Sequence, residues 1–159
     1  MSTTGMPGTD PLMTRALVDR CRLYRSEFGF QTSIDPRSMV ITMRSRQHSG
    51  VLVPAALGYR AWSQMSFPVP VIAVKKRALL FVTDGFRPED HSAALELAIF
   101  THRIVPLWPG RQIMLPTPGI ASRVWLRLPA GEGLPVLQSI IDVLVDVRPV
   151  TRAPSVPAC

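Results

Sequence analysis

The sequence has few of the residues that metalloproteins and membrane proteins need. Only two of its 159 residues are cysteines, Cys21 and Cys159. Neither has a second cysteine or a histidine at metal-ligand spacing, so we predict no zinc site and a reducing, cytoplasmic location. No apolar run approaches the roughly 18 residues of a transmembrane helix, and we expect no membrane span. The first residues lack a basic segment followed by an apolar one, so we expect no secretory signal.

Acidic residues are also scarce. The chain has 11 Asp and Glu against 18 Lys and Arg, a net charge of +7. Lysine is limited to Lys75 and Lys76, and every other cation is arginine. Such a balance is compatible with DNA or RNA, an acidic partner or an anionic membrane surface. A solvated basic surface, with arginine favoured by a GC-rich genome, explains the same composition.

Motifs that carry catalysis are missing as well. The chain has no Asp-x-Asp pair for divalent cations and no glycine-rich phosphate loop. Ser49 follows His48 directly, but adjacency in sequence does not align a nucleophile with a base. Asp142 and Asp146 share a helix face that we expect to be solvated. We therefore predict no catalytic residue, metal or cofactor, and the sequence leaves open whether any enzymatic activity exists.

What is present predicts one α+β domain. Hydrophobic residues make up 47% of the chain and charged residues 18%, which is typical of a globular protein. We place the domain at residues 10–147. The Gly- and Pro-punctuated residues 1–9 and the Pro-rich residues 148–159 are predicted to be disordered tails. The fold we expect is a mixed or mostly antiparallel sheet packed by about four helices.

The centre of this domain is predicted to be two apolar strands joined by a basic turn. Val71–Val74 and Ala78–Thr83 lack alternation, as interior strands covered on both faces do. Apolar residues at three- and four-residue spacing predict helices after Asp10, Pro54 and Ser92 and near the C-terminus. Further strands are expected at Ser38–Arg44, 51–53, 104–107, 112–115 and 123–128, with Pro106 marking an edge strand or the start of a bulge.

The last of these strands alternates most regularly. Val124, Leu126 and Leu128 alternate with Arg123, Trp125 and Arg127, so the latter three should project from one exposed face. Two arginines beside an indole could contact phosphates and stack on a base. Packing of Trp125 beneath another element, with the arginines extended around it, is the alternative. The candidate nucleic-acid-binding residues are Arg123, Trp125, Arg127, Lys75, Lys76, Arg77, Arg44 and Arg46.

Several apolar and turn segments resemble a known group of proteins. The segments 51–58, 70–72, 80–83, 104–106 and 115–119 are similar to small actinobacterial proteins grouped with bifunctional primase/polymerase N-terminal domains. The resemblance covers about Ser38 to Val147 and implies an α+β domain that contacts DNA. Active members carry an Asp-x-Asp or Asp-x-Glu pair and a strand histidine, and neither can be placed here. The resemblance therefore implies a non-catalytic relative, and no catalytic residue is transferred.

Two functional hypotheses follow. The first is a non-catalytic cytoplasmic protein that binds DNA or RNA through a basic face. The second is a protein-interaction or regulatory module, in which edge strands and the exposed aromatics Phe86 and Trp108 form a homodimer or bind a protein partner.

Overall fold

The first helix begins where the sequence predicts. The computed structural model describes residues 10–131 and 133–147, so the predicted tails at 1–9 and 148–159 lie outside the described residues. Helix α1 (Pro11–Phe28) starts at Asp10, whose carboxylate accepts a 3.0 Å hydrogen bond from the Leu12 N–H. Gly29 ends the helix in the left-handed conformation, with φ 68°.

The strands of the described residues form two separate antiparallel sheets. In chain order they are β1 (Thr32–Asp35), β2 (Val40–Arg44), β3 (His48–Pro54), β4 (Val71–Val74), β5 (Ala78–Asp84), β6 (Val105–Pro106), β7 (Gln112–Met114) and β8 (Arg123–Arg127). The smaller sheet has the order β1-β2-β7, and the larger has the order β6-β3-β5-β4-β8. Strands β4 and β5 are interior, as their continuous apolar runs predict.

Three more helices complete the described fold: α2 (Ala55–Gln64), α3 (Ala93–His102) and α4 (Leu137–Asp146). Ser92 begins α3, and its hydroxyl accepts a hydrogen bond from the Leu95 N–H. The prediction of a single α+β domain with mostly antiparallel pairing and about four helices is confirmed. None of the described helices is both long and apolar enough to cross a bilayer.

The larger sheet separates two apolar cores. Because side chains alternate along a strand, Leu79 and Phe81 face one side of β5 while Leu80 and Val82 face the other. The first side is covered by α2, α3 and α4, and the second by α1 and the smaller sheet. The molecule is therefore layered, with the larger sheet in the middle.

Strand β3 begins three residues earlier than predicted, because His48, Ser49 and Gly50 are polar or small and give no strand pattern. Ser49 is buried, and its hydroxyl donates a 2.8 Å hydrogen bond to the Leu107 carbonyl. At Gly50 a Cβ would lie 3.0 Å from both Leu80 Cδ1 and the Phe81 carbonyl oxygen. Glycine is thus required there for the close approach of β3 to β5.

Strands β6 and β7 belong to different sheets, although a turn-like segment joins them. Strand β6 forms an edge of the larger sheet by pairing with β3, as Pro106 predicts, and β7 pairs with β2. The segment between them is fixed by a 2.8 Å hydrogen bond from the Ser45 N–H to the Arg111 carbonyl. This connection links the two sheets near the end of the larger sheet where His48 begins β3.

Candidate nucleic-acid interface

The basic turn between β4 and β5 is tight and exposed. The Arg77 N–H donates a 3.0 Å hydrogen bond to the Val74 carbonyl, which closes the turn. Lys75 and Lys76 at its centre have φ values of 51° and 56°, and both side chains are exposed. Two consecutive positive φ values define a turn whose twist matches that of the strands it joins.

Lysine is an unusual choice for this backbone. Turns of this kind favour Asn-Gly, because other L-residues pay about 1 kcal/mol or more for a left-handed conformation. The chain nevertheless has its only two lysines at these two positions. The local conformation therefore does not explain the residue type, whereas exposed ammonium groups at the tip of the hairpin would.

Arg123 lies beside this turn. It is paired with Val74 across the β4–β8 ladder, and the Lys75 N–H donates a 2.8 Å hydrogen bond to the Ser122 carbonyl. One guanidinium nitrogen of Arg123 donates to the Met114 carbonyl at 2.8 Å, and partial burial lowers the pKa of this side chain. We call Lys75, Lys76, Arg77 and Arg123 the basic turn cluster. Within the described chain, none of its members forms a salt bridge.

The predicted basic patch is divided between two ends of the larger sheet. The β3–β5 ladder runs from His48 opposite Asp84 to Pro54 opposite Ala78, and the basic turn cluster lies at the Ala78 end. Six residues of antiparallel strand separate the two ends by about 20 Å. At the His48 end lie Arg44, the last residue of β2, Arg46, from the β2–β3 connection, and Arg127, paired with Val71 at the end of β8.

Trp125 faces the interior. It is paired with Ile72, on the side of the sheet that α1 covers, and its indole N–H donates a 3.0 Å hydrogen bond to the Tyr24 hydroxyl. Its ring meets those of Tyr24 and Phe28 edge-on, with centroids 6.1 and 6.4 Å apart. Trp125 thus packs beneath α1, as the alternative interpretation holds, and the expectation that Arg123, Trp125 and Arg127 project from one exposed face is wrong.

Three aliphatic side chains in and directly after β8 are exposed. Val124 and Leu128 are each 52% exposed and Leu126 is 38% exposed, whereas Trp125 is half-buried. Alternation predicts that the two sets of residues face opposite ways, but it does not predict which set is covered. A β-bulge opposite Val71 and Ile72 also interrupts the alternation, so Arg127 does not share the face of Arg123 and Trp125.

A cleft at the His48 end is the feature that sequence reasoning missed. It has a volume of about 440 Å³ and brings together four ionisable side chains from four elements: Glu27, His48, Asp84 and Arg127. Its floor and rim include Phe28 and the segment that follows β8. One feature of the sequence could have indicated this cleft: each of the four residues is ionisable and lies at or near the end of a helix or strand with an apolar face.

The charges in this cleft are partly neutralised. Burial lowers the pKa of His48, and the neighbouring Asp84 carboxylate opposes that shift. The Asp84 carboxylate also accepts a 2.9 Å charged hydrogen bond from Arg87. In addition, the His48 ring packs edge-on against Phe30, with centroids 5.0 Å apart. The imidazole is therefore held as a neutral group at the wall of the cleft near neutral pH.

Phe86 and Trp108 do not form the exposed aromatic surface that was expected. Both are partly buried and pack against the core under α3. Their ring centroids are 5.0 Å apart, and the ring of His91 stacks on Trp108 at 5.5 Å with an interplanar angle of 11°. Mutual stacking explains why the aromatics in these polar loops are not left in solvent.

Comparison of the chain with protein-family models, with curated proteins and with solved structures finds no match. The resemblance to primase/polymerase-like domains consequently stays a prediction. Within residues 10–131 and 133–147, no group of three or more His, Cys, Asp or Glu side chains is arranged to hold a metal ion. Function must be argued from the geometry of the chain itself.

Proposed function

We propose that this protein binds the phosphate backbone of DNA or RNA through the basic turn cluster, as a non-catalytic relative of primase/polymerase-like domains in the cytoplasm. Lys75, Lys76 and Arg77 are exposed, and the described residues provide no carboxylate that pairs with them. Phosphate contacts of this kind position a protein on nucleic acid and do not select a sequence. We therefore expect affinity that depends on salt and little on base order.

The observation that carries the proposal is the left-handed backbone of both lysines. A sequence selected for stability alone would have Asn-Gly at these positions, because that pair adopts the turn at little cost. Keeping two ammonium groups there costs stability and adds charge at the tip of the hairpin. Conformational strain of this type persists most often where a side chain has a functional role.

The same feature provides a variant that separates function from folding. We expect Lys75→Asn/Lys76→Gly to raise the free energy of unfolding by about 1 kcal/mol, because the strain at both positions is relieved. The variant should bind labelled single- and double-stranded DNA more weakly in fluorescence anisotropy. If both lysines contact phosphates, the slope of log affinity against log salt should fall by about 2.

The matched control removes two charges from the other end of the sheet. Arg44→Gln/Arg46→Gln changes net charge by the same amount as the turn variant, and both residues are exposed. It should keep the wild-type salt slope if the basic turn cluster is the contact surface. If both double variants lose the same affinity for DNA, binding depends on net charge and not on the basic turn cluster. If the wild-type protein does not bind DNA at low salt, the proposal is refuted.

The outer face of α3 favours a second candidate function, a protein-interaction module. Phe100 is 86% exposed and Leu97 is 57% exposed, although α3 is one of the more apolar helices of the chain. Apolar residues grouped in this way often mark a surface that a second chain covers. Sedimentation across a concentration range tests it: association should tolerate salt and be lost in Phe100→Ser. A monomer at every concentration would exclude self-association.

A further inference from the structure

Strand β8 has an open edge. It is the last strand of the larger sheet and pairs only with β4 among the described strands. The Lys75 N–H bonds to the Ser122 carbonyl, and hydrogen-bonded pairs alternate along an antiparallel ladder. The backbone groups of Arg123 and Trp125 are therefore directed away from β4. An unpaired row of N–H and C=O groups of this kind is a template for another strand.

A groove of about 330 Å³ runs beside this edge. Its walls come from α1, from the segment preceding β8 and from β8 itself, and none comes from β4: Arg20, Pro116, Thr117, Pro118, Arg123, Val124, Trp125 and Leu128. It therefore lies on the open side of the strand. The exposed aliphatic side chains of Val124 and Leu128 offer apolar contacts to an occupant.

The charge of the groove identifies the chemistry of that occupant. Arg20 and Arg123 line it, and no described carboxylate does. Arg127 lies further along the same strand and is exposed. An occupant with acidic side chains would be electrostatically favoured on such a surface.

A second copy of the chain fits this edge poorly. Strand β8 of a second copy would bring two more arginines, Arg123 and Arg127, and no carboxylate to a groove that Arg20 and Arg123 already line. Like charges brought together at an interface oppose association. Nucleic acid also has negative charge, but it has no extended backbone of alternating N–H and C=O groups to pair with the strand.

We propose that β8 binds an extended acidic peptide segment of a partner protein, which adds to the sheet as a sixth strand. Backbone hydrogen bonds to Arg123 and Trp125 hold the segment. Acidic side chains of the segment contact Arg20 and Arg123, and alternate apolar side chains contact Val124 and Leu128. Addition of a strand to an exposed sheet edge is an established mode of peptide recognition.

The test uses the full chain and a fluorescein-labelled peptide of alternating glutamate and valine, followed by anisotropy. The control peptide has the same sequence with every glutamate methylated at its backbone nitrogen, so it keeps the charge but cannot donate the backbone hydrogen bonds that face β8. We expect the first peptide to bind and the second to bind at least about tenfold more weakly. If the two peptides bind equally, the protein recognises only their charge, and strand addition is overturned.

Two substitutions of Arg123 distinguish the contribution of its backbone N–H to peptide binding from the contribution of its charge. Arg123→Gln removes the cation and keeps the N–H, while Arg123→Pro also removes the outward donor and is compatible with an edge strand. We expect a further loss of about tenfold in Arg123→Pro, with circular dichroism confirming the fold of each variant. Should Arg123→Pro fail to fold, Val124→Glu, which places a carboxylate at the groove, must weaken binding if the proposal is right.

The inference shares Arg123 with the basic turn cluster but does not depend on the two lysines that carry the proposed function. Lys75→Asn/Lys76→Gly should keep wild-type affinity for the peptide while losing affinity for DNA. A DNA oligonucleotide that displaces the peptide completely from this variant would show that the groove is a nucleic-acid site, and would overturn the proposal. Binding of neither peptide by the wild-type protein would overturn it as well.

Discussion

Tyr24 connects three parts of the structure through one hydroxyl group. The side chain is fully buried, and its hydroxyl donates to the Pro116 carbonyl and accepts from the Trp125 indole N–H. Helix α1 is thereby fixed to β8 and to the segment preceding it. A hydroxyl that serves as both donor and acceptor in a dry site is costly to remove, because both partners lose their hydrogen bond.

We expect Tyr24→Phe to lower the free energy of unfolding by about 2 kcal/mol, since the buried Pro116 carbonyl and the half-buried Trp125 indole N–H would both lose their partner. Urea denaturation measures this, and the midpoint should fall while the slope stays constant. Tyr59→Phe is the control, because Tyr59 is 50% exposed on α2 and should change stability little. A Tyr24→Phe variant as stable as the wild type would show that the hydroxyl contributes nothing to the docking of α1.

His48 gives the fold a dependence on pH. Its pKa is lowered in the folded state from an ordinary value of 6.5, mainly by burial. Below that value the unfolded chain binds a proton that the folded chain resists, so stability is full above about pH 6.5 and falls as the pH decreases. In His48→Gln the urea midpoint of unfolding should depend less on pH between about pH 7 and pH 5 than it does in the wild-type protein. His102→Gln is the control, and an unchanged slope in His48→Gln would contradict the assignment.

At the level of the element, α2 shows how packing overrides helix propensity. Gly58 lies in the middle of this helix, where alanine is favoured by up to about 1 kcal/mol. A Cβ at Gly58, however, would lie 3.0 to 3.1 Å from three atoms of the buried Leu79 side chain. Glycine lets the helix approach the sheet closely.

We therefore expect Gly58→Ala to destabilise the protein by about 1 kcal/mol or more, despite the gain in propensity, because the buried Leu79 side chain would have to shift. Thermal unfolding followed by circular dichroism measures the change. Ser63→Ala, at an exposed position of the same helix, is the comparison and should be nearly neutral. Stabilisation by Gly58→Ala would mean that α2 moves away from the sheet at little cost.

The elements also show what the sequence could and could not predict. Strands β4 and β5 were predictable, because burial on both faces produces continuous apolar runs. Strand β1 was not, because its buried residue Thr32 is polar. The Thr32 hydroxyl is satisfied by a 3.2 Å hydrogen bond to the Cys21 carbonyl, a contact between segments that no local pattern reports.

The candidate site was predictable only in part, for a similar reason. The Lys75–Arg77 turn is local, and its charge and position between two strands can be read from the chain. The division of the basic residues between two ends of the sheet depends on strand pairing. The covered face of β8 depends on α1, more than ninety residues earlier, since Trp125 and Tyr24 are 101 residues apart.

For the molecule as a whole, the shared central sheet predicts cooperative unfolding. Strand β5 contributes side chains to both cores, so neither core persists without it. Trp125 reports on the core beneath α1, and Trp62 and Trp108 report on the core beneath the other helices. In Trp125→Phe, and separately in Trp62→Phe/Trp108→Phe, fluorescence and circular dichroism should give coincident urea transitions. Separate transitions in either variant would mean that one core unfolds alone.

The position of Cys21 makes the reactivity of its thiol a probe of the undocking of α1. The side chain is 6% exposed, and its sulfur lies 3.3 Å from the Thr32 hydroxyl oxygen, beneath the helix. A thiol reagent can reach it only while α1 is lifted from β1. In a Cys159→Ser background, the labelling rate would therefore measure how often the helix undocks. Nucleic acid or peptide that holds the helix in place would slow that rate without touching the cysteine.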